Sequence, residues 1–278
     1  MTFYCFLVRV TDATVAMAEY ISGTEEKFVE RMNEKVEELG LKHTHFMNST
    51  GLDEENHYSS SYDMAMIARE LVVNHPDIIR FSSIYEDYLR EGTDRKFWLV
   101  NTNKLLRQYE GVDGLKTGHT DDALYCLATT ARRDGLRLIG IVLGEKESKV
   151  RNQEMIELLD YGFSNVKIKT LKKKGDSVQD ISLEKADKKK ISLLLKDDLN
   201  VVYDIDDKNL DYQYKIDVSQ VKLPIKKGDI LGKIRVFQEK NEVTNGILIS
   251  NQDAYSLNYL ELVICNMNSI LFGNYIEE

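Results

Sequence analysis

Apolar positions in the first half of the chain follow two periods, and the change from one to the other marks where helices give way to strands. From Thr11 the stretch TDATVAMAEYISGTEEKFVERMNEKVEELGL carries Val15, Met17, Ala18 and Ile21, then Phe28, Met32, Val36 and Leu39, at the spacing of a helix with one buried face. Thr11 and Asp12 are cap candidates, and Ser22-Gly23 interrupts the run, so two helices are expected. A polar loop, KHTHFMNSTGLDEENHYSSS, follows, and YDMAMIARELVVNHP reads as a third helix stopped by Pro76. Within the mixed stretch after it, Phe97 to Val100 predicts a short strand.

The period then becomes that of strands. Leu124 to Ala131 and Leu136 to Leu143 are apolar runs joined by Arg-Arg-Asp-Gly, and an Asp134-Gly135 turn between two such runs predicts a hairpin. Lys116 to Thr120 leads into the first run as a further extended segment. Helical spacing returns in ESKVRNQEMIELLDYGF, with Val150, Met155, Ile156, Leu158 and Leu159 on one stripe and Gly162 expected as the residue just past the helix end.

From about residue 163 lysine and aspartate alternate with Val, Ile and Leu, turns recur at KKKGDS, DDKNLD and IKKGD, and helical periodicity ends, which predicts a small all-β domain. The last apolar stretch, Tyr255 to Phe272, reads as an amphipathic helix on a membrane surface, as a core segment or as a tail, and it lacks the basic face of typical surface helices. The expected domains are therefore 1–162, 163–254 and a tail at 255–278.

Composition narrows the function classes. With 278 residues and 42% apolar positions, a real core can form. A net charge of −9 argues against a general grip on nucleic acid, which needs a basic footprint. Cys5, Cys126 and Cys265 are too far apart in sequence for a metal knuckle or a redox pair, and three reduced thiols are expected. MTFYCFLVRV has no basic start, long apolar region or small-residue cleavage site, so it predicts no signal peptide; the chain as written would stay in the cytoplasm. No stretch approaches the ~20 apolar residues of a spanning helix.

The chemistry concentrates at Lys116, Thr117 and Gly118, on a predicted strand edge. An ammonium supplies positive potential, a threonine hydroxyl can donate to a carboxylate, and a residue without Cβ lets a substrate backbone lie against the strand. Backbone N–H groups at such an edge can serve an oxyanion. On its own the tripeptide is weak evidence, since Lys, Thr and Gly together far more often mark a solvated strand edge with a turn glycine. Its place in VDGLKTGHTDDALYCLATTARRDGLRLIGIVLG, preceded by the helices and polar loop from Thr11 to Val72, closely resembles the low-molecular-weight penicillin-binding proteins, the serine-type D-alanyl-D-alanine carboxypeptidases of peptidoglycan metabolism. The resemblance is dense from residue 11 to about 162 and looser in the β-rich remainder.

It implies an α/β (α+β) penicillin-binding, β-lactamase-like transpeptidase fold, N-terminally truncated, followed by a small all-β C-terminal domain. It implies that Lys116, Thr117 and Gly118 form the motif binding the terminal carboxylate of peptidoglycan stem peptides or β-lactams, and that His119 supplies a backbone N–H to the oxyanion hole. Arg151 falls where the family places a basic residue near that carboxylate; the residues alone leave a solvated helix-start arginine open. The loop with His57, Tyr58 and Ser59 to Ser61 resembles one near the family's cleft. His43 and His45 show no metal-ligand pattern and are expected at the surface, and no cofactor or metal is implied.

The mechanism so implied is acyl transfer by a serine activated by a lysine one helical turn later. No Ser-x-x-Lys precedes the Lys-Thr-Gly. The pattern occurs at Ser164 to Lys167, Ser182 to Lys185 and Ser219 to Lys222, all expected on strands where i and i+3 face apart. The second family motif is degenerate: its three places read Arg9, Val10 and Thr11. Residues 1–10 are accordingly expected to derive from a displaced frame or new start, and the first 160 residues to be poorly soluble or partly unfolded. The expected function is a D-Ala-D-Ala carboxypeptidase by descent, inactive alone, with a non-catalytic peptidoglycan- or partner-binding module as the alternative. A β-lactamase-like hydrolase is disfavoured. The family acts outside the cytoplasmic membrane, often held there by a C-terminal amphipathic segment.

Overall fold

The computed structural model describes residues 11–207 and 211–272, by backbone alone at 265, 266 and 268–272. The expectations for residues 1–10, including Cys5, Arg9 and Val10, and for the Cys265 side chain lie outside the described residues. The chain divides into two compact units, Met1–Asn165 and Val166–Glu278.

In the first unit, helices α1 (Thr11–Ser22) and α2 (Glu25–Glu38) are separated where the sequence breaks: Gly23 sits at φ +88°, a conformation open to glycine. Thr24 then caps α2, its hydroxyl accepting from the Lys27 N–H, with Glu25 and Glu26 at the positive end of the helix dipole. Helix α3 (Ser61–Asn74) starts from a Ser60 cap and stops before Pro76. A short α4 (Ile78–Ser82) leads to the hairpin β1 (Glu86–Leu89) and β2 (Phe97–Val100), and α5 (Leu105–Gln108) follows.

The three-stranded antiparallel sheet of β3 (Val112–Thr120), β4 (Leu124–Arg133) and β5 (Leu136–Glu145) holds the Lys-Thr-Gly on its β3 edge. Asp134 and Gly135, at φ 48° and 85°, form the expected tight turn. Alternation along β5 sends Leu138 and Val142 into one core cluster and Ile139 into another. The first cluster joins Leu127 and Ala131 to Met155 and Leu159 of helix α6 (Ser148–Asn165), and the second includes Ala68 and Val72 of α3. Helices on both faces of a sheet are the α/β arrangement the pattern predicts.

Gly162 is not a helix terminator. Helix α6 continues through it to Asn165, and a β-carbon at 162 would lie 2.6 Å from Leu138 Cδ1. The glycine lets the helix lie close on the sheet, a packing requirement that in sequence looks like a stop signal.

The second unit is β-rich. Strands β6 (Val166–Lys172) and β9 (Leu199–Asp204) pair, and a five-stranded sheet has the order β10 (Gln213–Val218), β11 (Ile230–Gln238), β12 (Asn241–Ser250), β8 (Lys190–Leu195), β7 (Ser177–Ser182). Its core gathers Ile191, Leu193, Leu195, Leu199, Ile234 and Leu248. Two Lys-Lys-Gly-Asp turns close alike: Asp176 and Asp229 accept from the N–H groups of Lys173 and Lys226, each at 2.8 Å. Helix α7 (Tyr259–Phe272) exposes Tyr259, Leu260, Val263, Ile264 and Met267, so these side chains are not a core segment. No described helix is long and apolar enough to cross a membrane.

The strand placement expected for the Ser-x-x-Lys patterns needs correction. Ser164 lies in the last turn of α6 and Lys167 on β6; Ser182 ends β7 with Lys185 in the following turn; Ser219 and Lys222 lie between β10 and β11. None of these puts the serine and lysine one turn apart on a single helix, as the activation chemistry requires.

Candidate active-site cleft

Strand β3 pairs with β4 on one side, Lys116 opposite Ala128, Thr117 opposite Leu127, Gly118 opposite Cys126 and His119 opposite Tyr125. Among the described residues its other edge carries no strand, so alternate backbone N–H and C=O groups face outward. A cavity of about 680 Å³ opens along this strand and is closed opposite by the first turns of α6. A second cavity, of about 340 Å³, reaches the same four residues from the side of Thr11 and Thr14. The structure thus brings Thr11, Lys116, Thr117, Gly118, His119 and Arg151 around one strand.

The start of β3 is fixed by a buried amide network. Asn103 donates through its side chain to the Gly114 carbonyl and the Thr129 hydroxyl, both at 3.2 Å, and its Oδ1 accepts from the Leu105 N–H. Asn101 accepts from the Asn103 N–H and donates to the carbonyls of Ser82 and Ile84. Arg137 grips Asp113 with two parallel bonds of 2.8 Å. Thr102, between the two asparagines, is left facing the cleft with its hydroxyl in a close hydrogen bond to that of Thr117.

Gly118 is neither in a left-handed conformation nor packed. A β-carbon there would meet nothing nearer than Cys126 Cβ at 3.8 Å, ordinary contact. Its absence leaves the strand bare toward the cleft. The Lys116 ammonium bends over the strand and donates to the Thr117 carbonyl at 2.7 Å. The His119 ring lies 4.0 Å from the Tyr125 ring, centroid to centroid.

Arg151 is 5% exposed, so the solvated reading fails. Its guanidinium donates to the Cys126 carbonyl at 3.3 Å and to Asn152 Oδ1 at 3.1 and 2.8 Å, and burial pulls its pKa below the ordinary value. It makes no salt bridge within the described structure. A buried guanidinium short of a counter-charge stabilises an anion that enters beside it.

Among the described residues the larger cavity is lined by the cations Lys104, Lys116, Lys149 and Arg151 and by no carboxylate. The first turn of α6 adds the positive end of an 18-residue helix. This local field opposes the net charge of −9. Such a field is complementary to an anion.

Sequence reasoning missed Thr102, Lys104, Lys149 and Asn152. Lys149 and Asn152 flank Arg151 at the same helix start and were findable from it; Thr102 reaches Thr117 across 15 residues, with no local signal. The polar loop stands apart from this set: His45 Nδ1 lies 2.9 Å from the Asn56 carbonyl, and His45 is half-buried rather than at the surface, whereas His43 is exposed. His57, Tyr58 and Ser59 to Ser61 line neither cavity of β3, although Thr50 and Gly51 of the same loop line the smaller one.

Residues 5–147 match the D-alanyl-D-alanine carboxypeptidase family (peptidase S11), and residues 167–258 match the penicillin-binding protein 5 C-terminal domain. The chain is 45% identical over 236 residues to D-alanyl-D-alanine carboxypeptidase DacF of Bacillus subtilis, covering 84% of this chain and 59% of that protein. It is similar to the crystal structure of penicillin-binding protein 5 from Haemophilus influenzae, with TM-score 0.63 and 30% identity over 90% of this chain and 72% of that one. It is similar as well to penicillin-binding protein D2 from Listeria monocytogenes in its cefotaxime-bound form, with TM-score 0.53 and 31% identity over 58% of this chain and 64% of that one. The chain spans about three fifths of the length of the curated relatives it matches.

Proposed function

The chain belongs to the D-alanyl-D-alanine carboxypeptidase family, and on that premise we propose that its β3 cleft binds the C-terminal carboxylate of D-Ala-D-Ala stem peptides of peptidoglycan, and β-lactams in their place. One observation carries the proposal: around Lys116–His119 the larger cavity has four cations and no carboxylate, beside a glycine that neither packing nor backbone conformation demands.

In this reading Arg151 and Lys116 neutralise the carboxylate, and the Thr117 hydroxyl, already oriented by Thr102, donates to it. Each charge-assisted bond is worth about 1.5–3 kcal/mol. The peptide backbone lies along Gly118 with its scissile carbonyl oxygen at the His119 N–H, the group that would stabilise an oxyanion there. The acyl transfer itself needs a serine hydroxyl deprotonated by a neighbouring lysine, loss of D-alanine and attack by water on the acyl-enzyme. Among the described residues no Ser-x-x-Lys has that helical geometry, and this reading assigns them recognition of the ligand rather than its acylation. This favours reversible peptide binding over turnover.

The exposed apolar side chains of α7, Tyr259, Leu260, Val263, Ile264 and Met267, support placement on a membrane surface, and the site of action is the extracytoplasmic face where peptidoglycan lies. Intact mass measured after incubating the folded chain with a penicillin tests the catalytic part. An unchanged mass is expected; a stoichiometric adduct would show that a serine in this chain is the nucleophile.

A further inference from the structure

Helix α7 has an apolar face but no basic one. Leu260, Val263, Ile264 and Met267 follow at intervals of three and four, so they share one side of the helix, and all four are exposed. Residues 259–272 contain no lysine or arginine, although helices that lie on membranes ordinarily carry such residues on their polar face. Two neighbouring turns of the β-rich unit supply them instead.

The chain enters α7 through residues 253–258, and that stretch is bonded on both sides. Ala254 bridges to Ile225, which leads into the Lys226-Lys227 turn, and Ser256 bridges to Ala186 in the β7–β8 loop. Asp253 accepts from the Lys227 N–H at 2.7 Å, and the Leu257 N–H donates to the Lys185 carbonyl at 2.8 Å. Asn258 and Glu261 then cap the helix reciprocally, each side chain accepting from the other's main-chain N–H. Backbone bonds thus place Lys185, Lys188, Lys189, Lys226 and Lys227 around the root of the apolar helix.

All five lysines are exposed, and among the described residues none is in a salt bridge. The carboxylates beside them are committed elsewhere. Asp229, Asp253, Asp187 and Glu261 accept from the N–H groups of Lys226, Lys227, Tyr255 and Asn258 at 2.8, 2.7, 2.7 and 2.8 Å. Asp180 pairs with Lys190, and Glu184 stays in water. Carboxylates held against the main chain leave the ammonium groups, on long flexible stems, to reach outward. Lysines gathered at the root of an apolar helix are complementary to a layer of anionic headgroups over acyl chains.

We propose that the β7–β8 loop and the Lys226-Lys227 turn form a headgroup-binding collar that directs α7 to bilayers of anionic phospholipid. The inference rests on the membrane placement of α7 and adds the lipid class and the residues that select it.

Flotation of the folded 278-residue chain with vesicles tests it, using pure phosphatidylcholine and an equal mixture of phosphatidylcholine and phosphatidylglycerol. Binding to the mixed vesicles is expected to be about tenfold or more tighter. Combined Lys185→Gln, Lys188→Gln and Lys189→Gln should remove most of that preference and leave binding to pure phosphatidylcholine within about twofold. Lys215→Gln, Lys233→Gln and Lys240→Gln remove the same charge from β10, β11 and the β11–β12 turn. The register of β12 on β8, Leu248 with Leu195 and Ser250 with Leu193, sets that turn at the opposite end of the sheet from the β7–β8 loop. This second triple variant should keep the preference within about twofold. Equal losses in the two triple variants would overturn the proposal. Equal flotation on both kinds of vesicle would remove the collar but leave α7 on the membrane, whereas no flotation of folded protein on either would sink both readings.

Discussion

Gly114 and Gly118, on one strand, lack a side chain for different physical reasons. A β-carbon at Gly114 would lie 2.5 Å from the Ser82 hydroxyl oxygen and 3.1 Å from its Cβ, and Ser82 is fully buried and bonded to the Asp113 carbonyl. At Gly118 the nearest atom is 3.8 Å away. Gly114→Ala should therefore cost about 1–3 kcal/mol through overpacking, whereas Gly118→Ala should leave stability at or slightly above that of the parent, since glycine weakens a strand interior. Affinity for a D-Ala-D-Ala peptide should fall about tenfold or more in Gly118→Ala, because the methyl group stands where the ligand backbone lies. Thermal melting and a binding titration on both variants check this; a Gly118→Ala chain that melts early but binds normally would reverse the assignment. The sequence marked Lys116 to His119 as a set, and all four line both cavities along β3. It left Arg151 open between a buried ligand group and a solvated one, because its burial comes from contact with the Cys126 carbonyl, 25 residues earlier.

Strand β3 works as an element because its first half is locked and its second half is open. Asn103 supplies two donors and one acceptor to the lock and is fully buried. Asn103→Ala strands the Leu105 N–H and loosens Gly114, which should lower the unfolding free energy by about 1–3 kcal/mol. It should also speed hydrogen exchange of the β3 amides relative to those of β5, as measured by urea denaturation and amide exchange; unchanged β3 protection would show that Arg137 and Ser82 suffice. The β4–β5 hairpin was legible because Asp-Gly lies between two apolar runs, and β2 because Phe-Trp-Leu-Val is a short apolar run. Strand β1, Glu-Asp-Tyr-Leu, has no such pattern: it is a strand because it pairs with β2, which no local window reveals. The same limit explains Gly162, where a close helix-to-sheet approach imitates a helix stop.

At the scale of the molecule, the switch from helical to alternating pattern near residue 163 lies three residues from the division between the two compact units. The sheet order of the second unit was beyond reach, because antiparallel neighbours such as β12 and β8 are chosen by burial across more than 40 residues. Charge shows a similar contrast. A net charge of −9 argues against a general grip on nucleic acid, but says nothing of four cations drawn together at one cleft by β3, α6 and the residue that precedes α5. That local field is the core of the functional reading, and it makes a sharp demand on the ligand. The direct test is to titrate the folded chain with an N-acylated D-Ala-D-Ala peptide and with its C-terminal carboxamide, following backbone amide shifts. Saturable binding of the carboxylate form is predicted, centred on Lys116–His119, and about tenfold or more weaker both for the carboxamide and in Arg151→Met. Equal binding of the two forms, or no binding by demonstrably folded protein, would contradict it.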